Sequence, residues 1–220
     1  MSPPRREPSG WSSPGAAASH DQVVSGPSFE SSPPGGALTG RLLVASTRLG
    51  DPNFDRTVVL VLDHGEDGAL GVVLNRPTPV PVEEILEPWG PQADMAPPGV
   101  VFRGGPVARD AVIGLARPAA AVTVSDAWHV VVEFVGTVDL SVDPDDQPVG
   151  LGGARLFSGY SGWAPDQLEA ELAEGAWFVL DAVPADVFCA DADQLWHDVM
   201  RRQGGALALL ATYPSHPSLN

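Results

Sequence analysis

The chain has 220 residues and a formal net charge of −16, and all twelve of its basic residues are arginines. A charge of this sign repels nucleic-acid phosphates and anionic membranes, so it disfavours non-specific binding to either. The single cysteine, Cys189, excludes an intramolecular disulfide framework and a cysteine-based zinc site, and it suits a reducing compartment.

Residues 1–36 are dominated by proline, serine, glycine and alanine, which predicts a disordered tail. Arg5 and Arg6 are not followed by the apolar segment that a signal peptide requires, and no run approaches the roughly 18 apolar residues of a membrane span. We therefore expect a cytoplasmic protein without membrane association. Residues 37–213 are expected to form one domain, and residues 214–220 a short C-terminal tail.

The early part of the domain is rich in short apolar and β-branched runs, which predict strands. One run covers residues 40–46, and two more, 56–64 and 68–77, flank a glycine-containing loop and predict a hairpin. Three prolines within residues 77–81 are expected to end the pairing, because proline has no N–H to donate to the ladder.

A short helix over residues 82–86 and a mobile, proline-rich loop over 89–98 are predicted next. Four further apolar runs predict strands: 100–107, 111–116, 128–135 and 137–142. The first of these runs enters a tight glycine turn, and Gly136 is expected to separate the last two.

The later part of the domain predicts two well-marked helices. Two glycines in the segment 159–163 predict a tight turn between a strand and a helix that starts near Pro165 and ends at Gly175. A strand over 177–183 and a helix over 193–203 follow. Because strands predominate early and the better helices come late, we expect a single α+β domain rather than a regular βαβ repeat.

Ser161 lies in the segment GYSGW, a near match to the G-x-S-x-G nucleophile elbow of hydrolases. Trp163 stands where the second glycine of that motif belongs, and a bulky indole obstructs the close approach that the elbow needs. A structural turn is therefore the favoured interpretation of this segment. Gln167 and Glu171 share one face of the following helix, where contact with solvent is the commonest role.

Asp63 and His64 end a predicted strand, and a carboxylate beside an imidazole can serve acid–base or metal chemistry. Adjacent residues of a strand point to opposite faces, so a structural histidine is the default interpretation. Asn75-Arg76 and residues 103–107 place arginine and backbone N–H groups at strand ends, where anions can bind or the chain can simply turn. No P-loop, dinucleotide-binding fingerprint or HExxH motif occurs, and we expect neither a cofactor nor a metal.

Several of these segments occur together in an order that resembles the YqgE/AlgH family of bacterial proteins. The resemblance covers roughly residues 39–210, and its parts are GRLLVAS, DPNFDRTVVLVLDH, GALGVVLNRP, GGPV, GYSGWAPDQLEAEL and Trp177. It implies a cytosolic α+β protein: one compact domain with bulged, coiled, mostly antiparallel or mixed sheets and flanking helices. It implies no reaction. The arginine-only composition resembles that of a high-GC actinobacterial member.

The sequence departs from the family pattern in three places. Asp63 stands where glutamate is usual, Ala116-Arg117 replaces a Leu-His pair, and residues 211–213 read Ala-Thr-Tyr where Gly-His-Ala is usual. The two missing histidines weaken any metal or acid–base role that the family would share.

These observations lead to a prediction of a cytosolic binding or regulatory module that acts on a protein or a small ligand. The surface predicted to carry this role consists of six residues: Asn75, Arg76, Gly104, Gly105, Trp163 and Gln167. A small hydrolase or metal-assisted enzyme that uses Ser161 or His64 is the alternative from another class. A transcriptional regulator without direct DNA contact comes third, suggested only by the name of one branch of the family.

Overall fold

The computed structural model describes residues 38–120, 129–133 and 135–212. The two predicted tails, 1–36 and 214–220, lie outside the described residues. Within the described part, no helix is both long and apolar enough to cross a membrane.

In the described residues, ten strands form a curled sheet that resembles a half-barrel. In chain order they are β1 (Arg41–Ala45), β2 (Val58–Gly65), β3 (Gly68–Val73), β4 (Pro77–Pro81), β5 (Val100–Arg103), β6 (Val107–Pro118), β7 (His129–Val132), β8 (Val135–Val138), β9 (Leu151–Trp163) and β10 (Trp177–Asp181). Eight of them follow the order β10-β1-β2-β3-β9-β6-β8-β7, while β5 pairs with β9 and β4 pairs with β5. Pairing is antiparallel throughout the described strands except between β5 and β9, which are parallel.

The part of the chain that the structure describes also contains five short α-helices, which flank the sheet. They are α1 (Gly90–Asp94), α2 (Gln167–Ala173), α3 (Pro184–Val187), α4 (Leu195–Gln203) and α5 (Gly205–Leu210), and 3₁₀ turns cover Val82–Glu84, Glu87–Trp89, Pro144–Asp146 and Ala192–Gln194. The expectation of one α+β domain with a coiled, mostly antiparallel sheet is confirmed.

The central strands are buried on both faces, which explains their nearly continuous apolar sequence. Leu60 and Leu62 of β2 face the inner core, where Trp196 and Val199 of α4 pack against them. The alternate residues of β2 face an outer core that Leu168 of α2 covers. A third core lies between α1 and the strands β6 and β9.

Arg155 of β9 is 1% exposed and lies among these cores without a carboxylate partner in the described residues. Its guanidinium donates to the carbonyl oxygens of Val187 at 2.8 Å, Pro97 at 2.6 Å and Cys189 at 3.0 Å. Its Cζ lies 4.3 Å from the ring centroid of Phe102. Burial lowers the pKa of this guanidinium to about 10, so it stays protonated at neutral pH.

The structure adds to one prediction about proline-rich segments and corrects another. The β2–β3 pairing ends at Val73, before the prolines, as expected, but residues 77–81 then form a further strand, β4, which pairs with β5 alone. An edge strand tolerates proline, since only one of its sides must join a ladder. The segment 89–98 is not a plain loop either: it contains α1, and Trp89 is buried in the third core.

Two predicted turns also lie elsewhere. The segment 159–163 belongs to β9, and the turn into α2 falls on residues 164–166, where Asp166 has a φ of 63°. The last hairpin does not break at Gly136, which pairs with both neighbouring strands. It bends instead after β7, where Glu133 has a φ of 44°. At both turns the residue with a positive φ is acidic, Asp166 or Glu133, so the positions of the glycines did not predict the turns.

We predict that Arg155→Met destabilises the domain by about 2–3 kcal/mol, because it removes three hydrogen bonds from a charged donor and leaves the buried carbonyl oxygen of Val187 without this partner. Urea unfolding followed by circular dichroism measures the change. Arg201→Met is the matched control, because the Arg201 side chain is 66% exposed on α4. A loss below about 0.5 kcal/mol in Arg155→Met would contradict a structural role for this guanidinium.

Candidate functional site

Three arginines converge on one cavity of about 110 Å³ where β3 and β5 end and β6 begins. They are Arg76, Arg103 and Arg109, and we call this cavity the arginine pocket. The remaining lining residues are Pro52, Asn53, Val73, Gly105 and Pro106. Among the residues that the structure describes, the lining contains no aspartate or glutamate, although the chain as a whole carries a net charge of −16.

Main-chain hydrogen bonds position Arg76 and Arg103. Arg103 is the last residue of β5, where it pairs with Ser158 of β9. Its backbone N–H donates to the carbonyl oxygen of Arg76 at 2.8 Å. The positions of Arg76 and Arg103 relative to each other are therefore fixed by the main chain rather than by flexible side chains.

A large bulge at the start of β6 places the third arginine. Val107 pairs with Tyr160 and Val112 with Ser158, so residues 108–111 stand opposite a single residue of β9. Ala108 adopts a φ of 43°, and the hydroxyl of Ser158 donates to the carbonyl oxygen of Arg109 at 2.6 Å. A non-glycine residue in the left-handed region costs on the order of 1 kcal/mol, and such strain is concentrated at functional sites.

The paired glycines before β6 allow this junction to approach β9. A Cβ on Gly104 would lie 2.2 Å from the carbonyl oxygen of Gly159, and a Cβ on Gly105 would lie 2.2 Å from that of Tyr160. No side chain fits at either position without moving the backbone. The glycines of the GGPV segment therefore allow Arg103 and Arg109 to border the same cavity.

The Arg76 side chain is partly committed to the protein. It is half-buried, and its guanidinium donates to the carbonyl oxygens of Asp55 and, at 3.1 Å, of Asn75. Burial lowers the pKa of Arg76, and the nearby charge of Arg103 lowers it further, while Asp55 and Asp193 oppose the shift. An arginine keeps its proton in proteins, so Arg76 contributes a fixed positive charge.

Arg103 and Arg109 have more donors free for a ligand. Both residues are exposed, and neither forms an ion pair within the described ranges of the chain. A guanidinium offers its N–H groups in a planar fork that matches a carboxylate or a phosphate in a bidentate manner. The arginine pocket thus has the chemistry of an anion site.

The six predicted surface residues fall into two groups. Arg76 and Gly105 line the arginine pocket, and Gly104 lies directly behind it, accepting a hydrogen bond from Val73 N–H at 2.9 Å. Asn75 is 3% exposed and bridges two backbones, accepting from Val58 N–H at 3.0 Å and donating to the Arg56 carbonyl at 2.8 Å. These contacts hold the β3–β4 connection in place.

Trp163 and Gln167 belong to a separate cluster. Trp163 pairs with Ala69, four residues before Val73 of the pocket, which is about 13 Å along an extended strand. Glu171 Oε2 accepts from the indoles of Trp163 at 2.9 Å and Trp177 at 2.7 Å, and Gln167 donates to Glu171 Oε1 at 3.0 Å. Gln167 and Glu171 do share a face, and Gln167 is exposed there as expected. Glu171 is half-buried, and its carboxylate also anchors two tryptophans.

Neither residue of the alternative enzyme hypothesis belongs to the described lining of the arginine pocket. Ser161 has 0% exposure, and its hydroxyl donates to the Gly104 carbonyl at 3.3 Å. His64 Nε2 lies 2.7 Å from Glu169 Oε1. The pKa of the Glu169 carboxyl is lowered, chiefly by a backbone hydrogen bond and next by this contact with His64. In the described ranges no group of three or more His, Cys, Asp or Glu side chains is arranged to hold a metal ion.

The predicted surface contains only Arg76 and Gly105 of the pocket lining, and Arg109 is the pocket arginine for which the sequence suggested no role. It lies in a run, VARD, with no turn signal and no apolar periodicity that would predict a bulge. The one available signal is the scarcity of basic residues in an acidic chain. Scarcity does not reveal which arginines meet in space.

Residues 42–208 match the model of the AlgH-like family, DUF179. A UPF0301 protein of Streptomyces avermitilis is 54% identical over 188 residues, which cover 84% of this chain and 96% of that relative. A UPF0301 protein of Thermobifida fusca is 47% identical over 195 residues, with 84% and 96% of the two chains covered.

Two solved structures share the fold. The crystal structure of a Corynebacterium diphtheriae protein superimposes with a TM-score of 0.74 at 33% identity, covering 81% of this chain and 94% of that one. The solution structure of the AlgH protein from Pseudomonas aeruginosa gives a TM-score of 0.58 at 30% identity, with 85% and 98% covered. The family resemblance noted in the sequence is confirmed, and the chain belongs to the AlgH-like family.

Proposed function

We propose that the chain is a cytosolic binding module that holds a small anionic ligand in the arginine pocket. The observation that carries this proposal is the convergence of Arg76, Arg103 and Arg109 on one cavity whose lining, within the described part of the chain, contains no carboxylate. The chain has only twelve basic residues and a net charge of −16, so three arginines around one cavity are an unusual concentration of positive charge.

The overall charge does not prevent such binding. At about 0.15 M ionic strength the Debye length is roughly 8 Å, so acidic residues far from the cavity are largely screened. Guanidinium groups that touch the ligand are screened much less. The pocket is therefore expected to bind small anions by contact, while the long polyanion of DNA meets the acidic surface as well and is repelled.

Asn75 and Gly104 also belong to the predicted surface, and they support the shape of the pocket without lining it. Asn75 fixes the β3–β4 connection from which Arg76 projects, and Gly104 permits the close approach of the β5–β6 junction to β9. A regulatory role would follow if ligand binding altered this junction. Trp163 and Gln167 are assigned to the stability of the α2 region.

We predict that the full chain binds sulfate or inorganic phosphate, measured by isothermal titration calorimetry at about 0.1 M ionic strength, and that Arg103→Ala and Arg109→Ala each weaken binding about tenfold or more. A hydrogen bond to a charged group contributes about 1.5–3 kcal/mol, which sets this magnitude. Arg201→Ala removes the same charge from α4 and serves as the control. Binding that is equal in all variants, or absent for both anions, would contradict the proposal.

The burial of Ser161 argues against the hydrolase alternative, because an electrophile must reach the nucleophile's oxygen. We therefore predict no covalent labelling of the folded chain by a fluorophosphonate probe, as measured by intact-mass spectrometry. The control is Ser161→Ala, whose mass spectrum should be equally free of adduct. Stoichiometric labelling of the wild-type chain that disappears in Ser161→Ala would revive the hydrolase hypothesis.

A further inference from the structure

We propose that the anion recognised by the arginine pocket is a dianionic phosphate group, carried by a small phosphorylated molecule whose remaining atoms lie outside the cavity. This inference rests on the proposed function of the same site. It adds the charge, the shape and the mode of binding of the ligand.

The charge of the pocket favours a dianion. Arg76, Arg103 and Arg109 bring three positive charges, and none of the described lining residues is acidic. A carboxylate or a sulfonate neutralises one of these charges, whereas a phosphate monoester neutralises nearly two, because its second ionisation has a pKa of about 6. Asp55 and Asp193 lie outside the lining and partly offset the positive charge of Arg76. The charges of Arg103 and Arg109 therefore remain to balance a dianionic ligand.

The arrangement of the donors favours a tetrahedral group over a planar one. The three arginines project from three separate points of the backbone: the residues after β3, the end of β5 and the bulge at the start of β6. A carboxylate has two oxygens in one plane, which suits a single guanidinium fork. The three terminal oxygens of a phosphate monoester point in different directions, so each can accept from a different arginine.

The size of the cavity limits how much of the ligand it encloses. Pockets that surround a whole drug-sized ligand measure roughly 300–1,000 Å³. The arginine pocket, at about 110 Å³, holds a group of a few heavy atoms. Its uncharged walls include Pro52, Val73 and Pro106, and no aromatic side chain of residues 38–120, 129–133 or 135–212 lines it for stacking on a nucleobase. The phosphate alone is therefore bound inside, and recognition of the remaining molecule falls to the exposed rim.

The test compares three probes that share a phenyl ring and differ in the anionic group: phenyl phosphate, benzenesulfonate and benzoate. Each is titrated into the full chain at pH 8 by calorimetry, where the phosphate is dianionic. We expect phenyl phosphate to bind at least about tenfold more tightly than either other probe. Arg103→Ala and Arg109→Ala should each remove at least about tenfold of that affinity, while Arg201→Ala changes it less than twofold.

The outcomes separate this inference from the proposed function. If benzenesulfonate or benzoate binds as tightly as phenyl phosphate and still depends on Arg103 and Arg109, the anion site stands and the phosphate assignment is overturned. If none of the three probes binds, and sulfate and inorganic phosphate do not bind either, both are overturned. Unfolding midpoints in urea confirm that the variants are folded, which the exposure of both arginines leads us to expect.

Discussion

The guanidinium of Arg155 lies out of contact with water and donates to three main-chain carbonyls, those of Pro97, Val187 and Cys189. Removing a cation from water is unfavourable, and here carbonyl dipoles and the ring of Phe102 compensate for it in place of a counter-ion. The contacts join the chain after α1 and the chain around the end of α3 to the strand β9. Two peripheral segments are thereby held at defined places on the sheet.

The strand that carries Arg155 also determines the geometry of the arginine pocket. β9 pairs with β3, β5 and β6, which are the strands whose ends border the cavity. Gly104 and Gly105 pack directly against its backbone, and Ser158 holds the bulge at Arg109. The rigidity that places three arginines around one cavity therefore comes from β9 rather than from the exposed loops.

Much of the fold was accessible from the sequence because central strands with two buried faces leave a strong signal. The runs that became β1, β2 and β3 are apolar at nearly every position, and α4 ends at Gln203 as its pattern predicts, just before Gly204. The errors lie where tertiary pairing overrides local preference. Prolines were accommodated in an edge strand, and Gly159 and Gly162 lie inside β9 rather than in a turn, Gly159 with a φ of 68° in close contact with the β5–β6 junction.

The site was accessible only in part. The arginines and paired glycines at strand ends indicated anion binding in general terms, and Arg76 and Gly105 do border the pocket. Trp163 and Gln167 were grouped with them because the sequence could not show that about four residues of β3 separate the two regions. Arg109 escaped notice because a bulge is a relation between two strands, and neither strand encodes it alone.

The single parallel pairing described in the sheet has a consequence for when the pocket can exist. Arg103 meets Ser158 only after about 55 intervening residues have been arranged around them, and closing so long a segment is entropically unfavourable. Such contacts between distant segments form late in folding. A chain whose synthesis has not passed β9 therefore has the three arginines but no cavity. Any ligand of this pocket binds the finished domain alone, and its concentration raises the stability of that state by mass action.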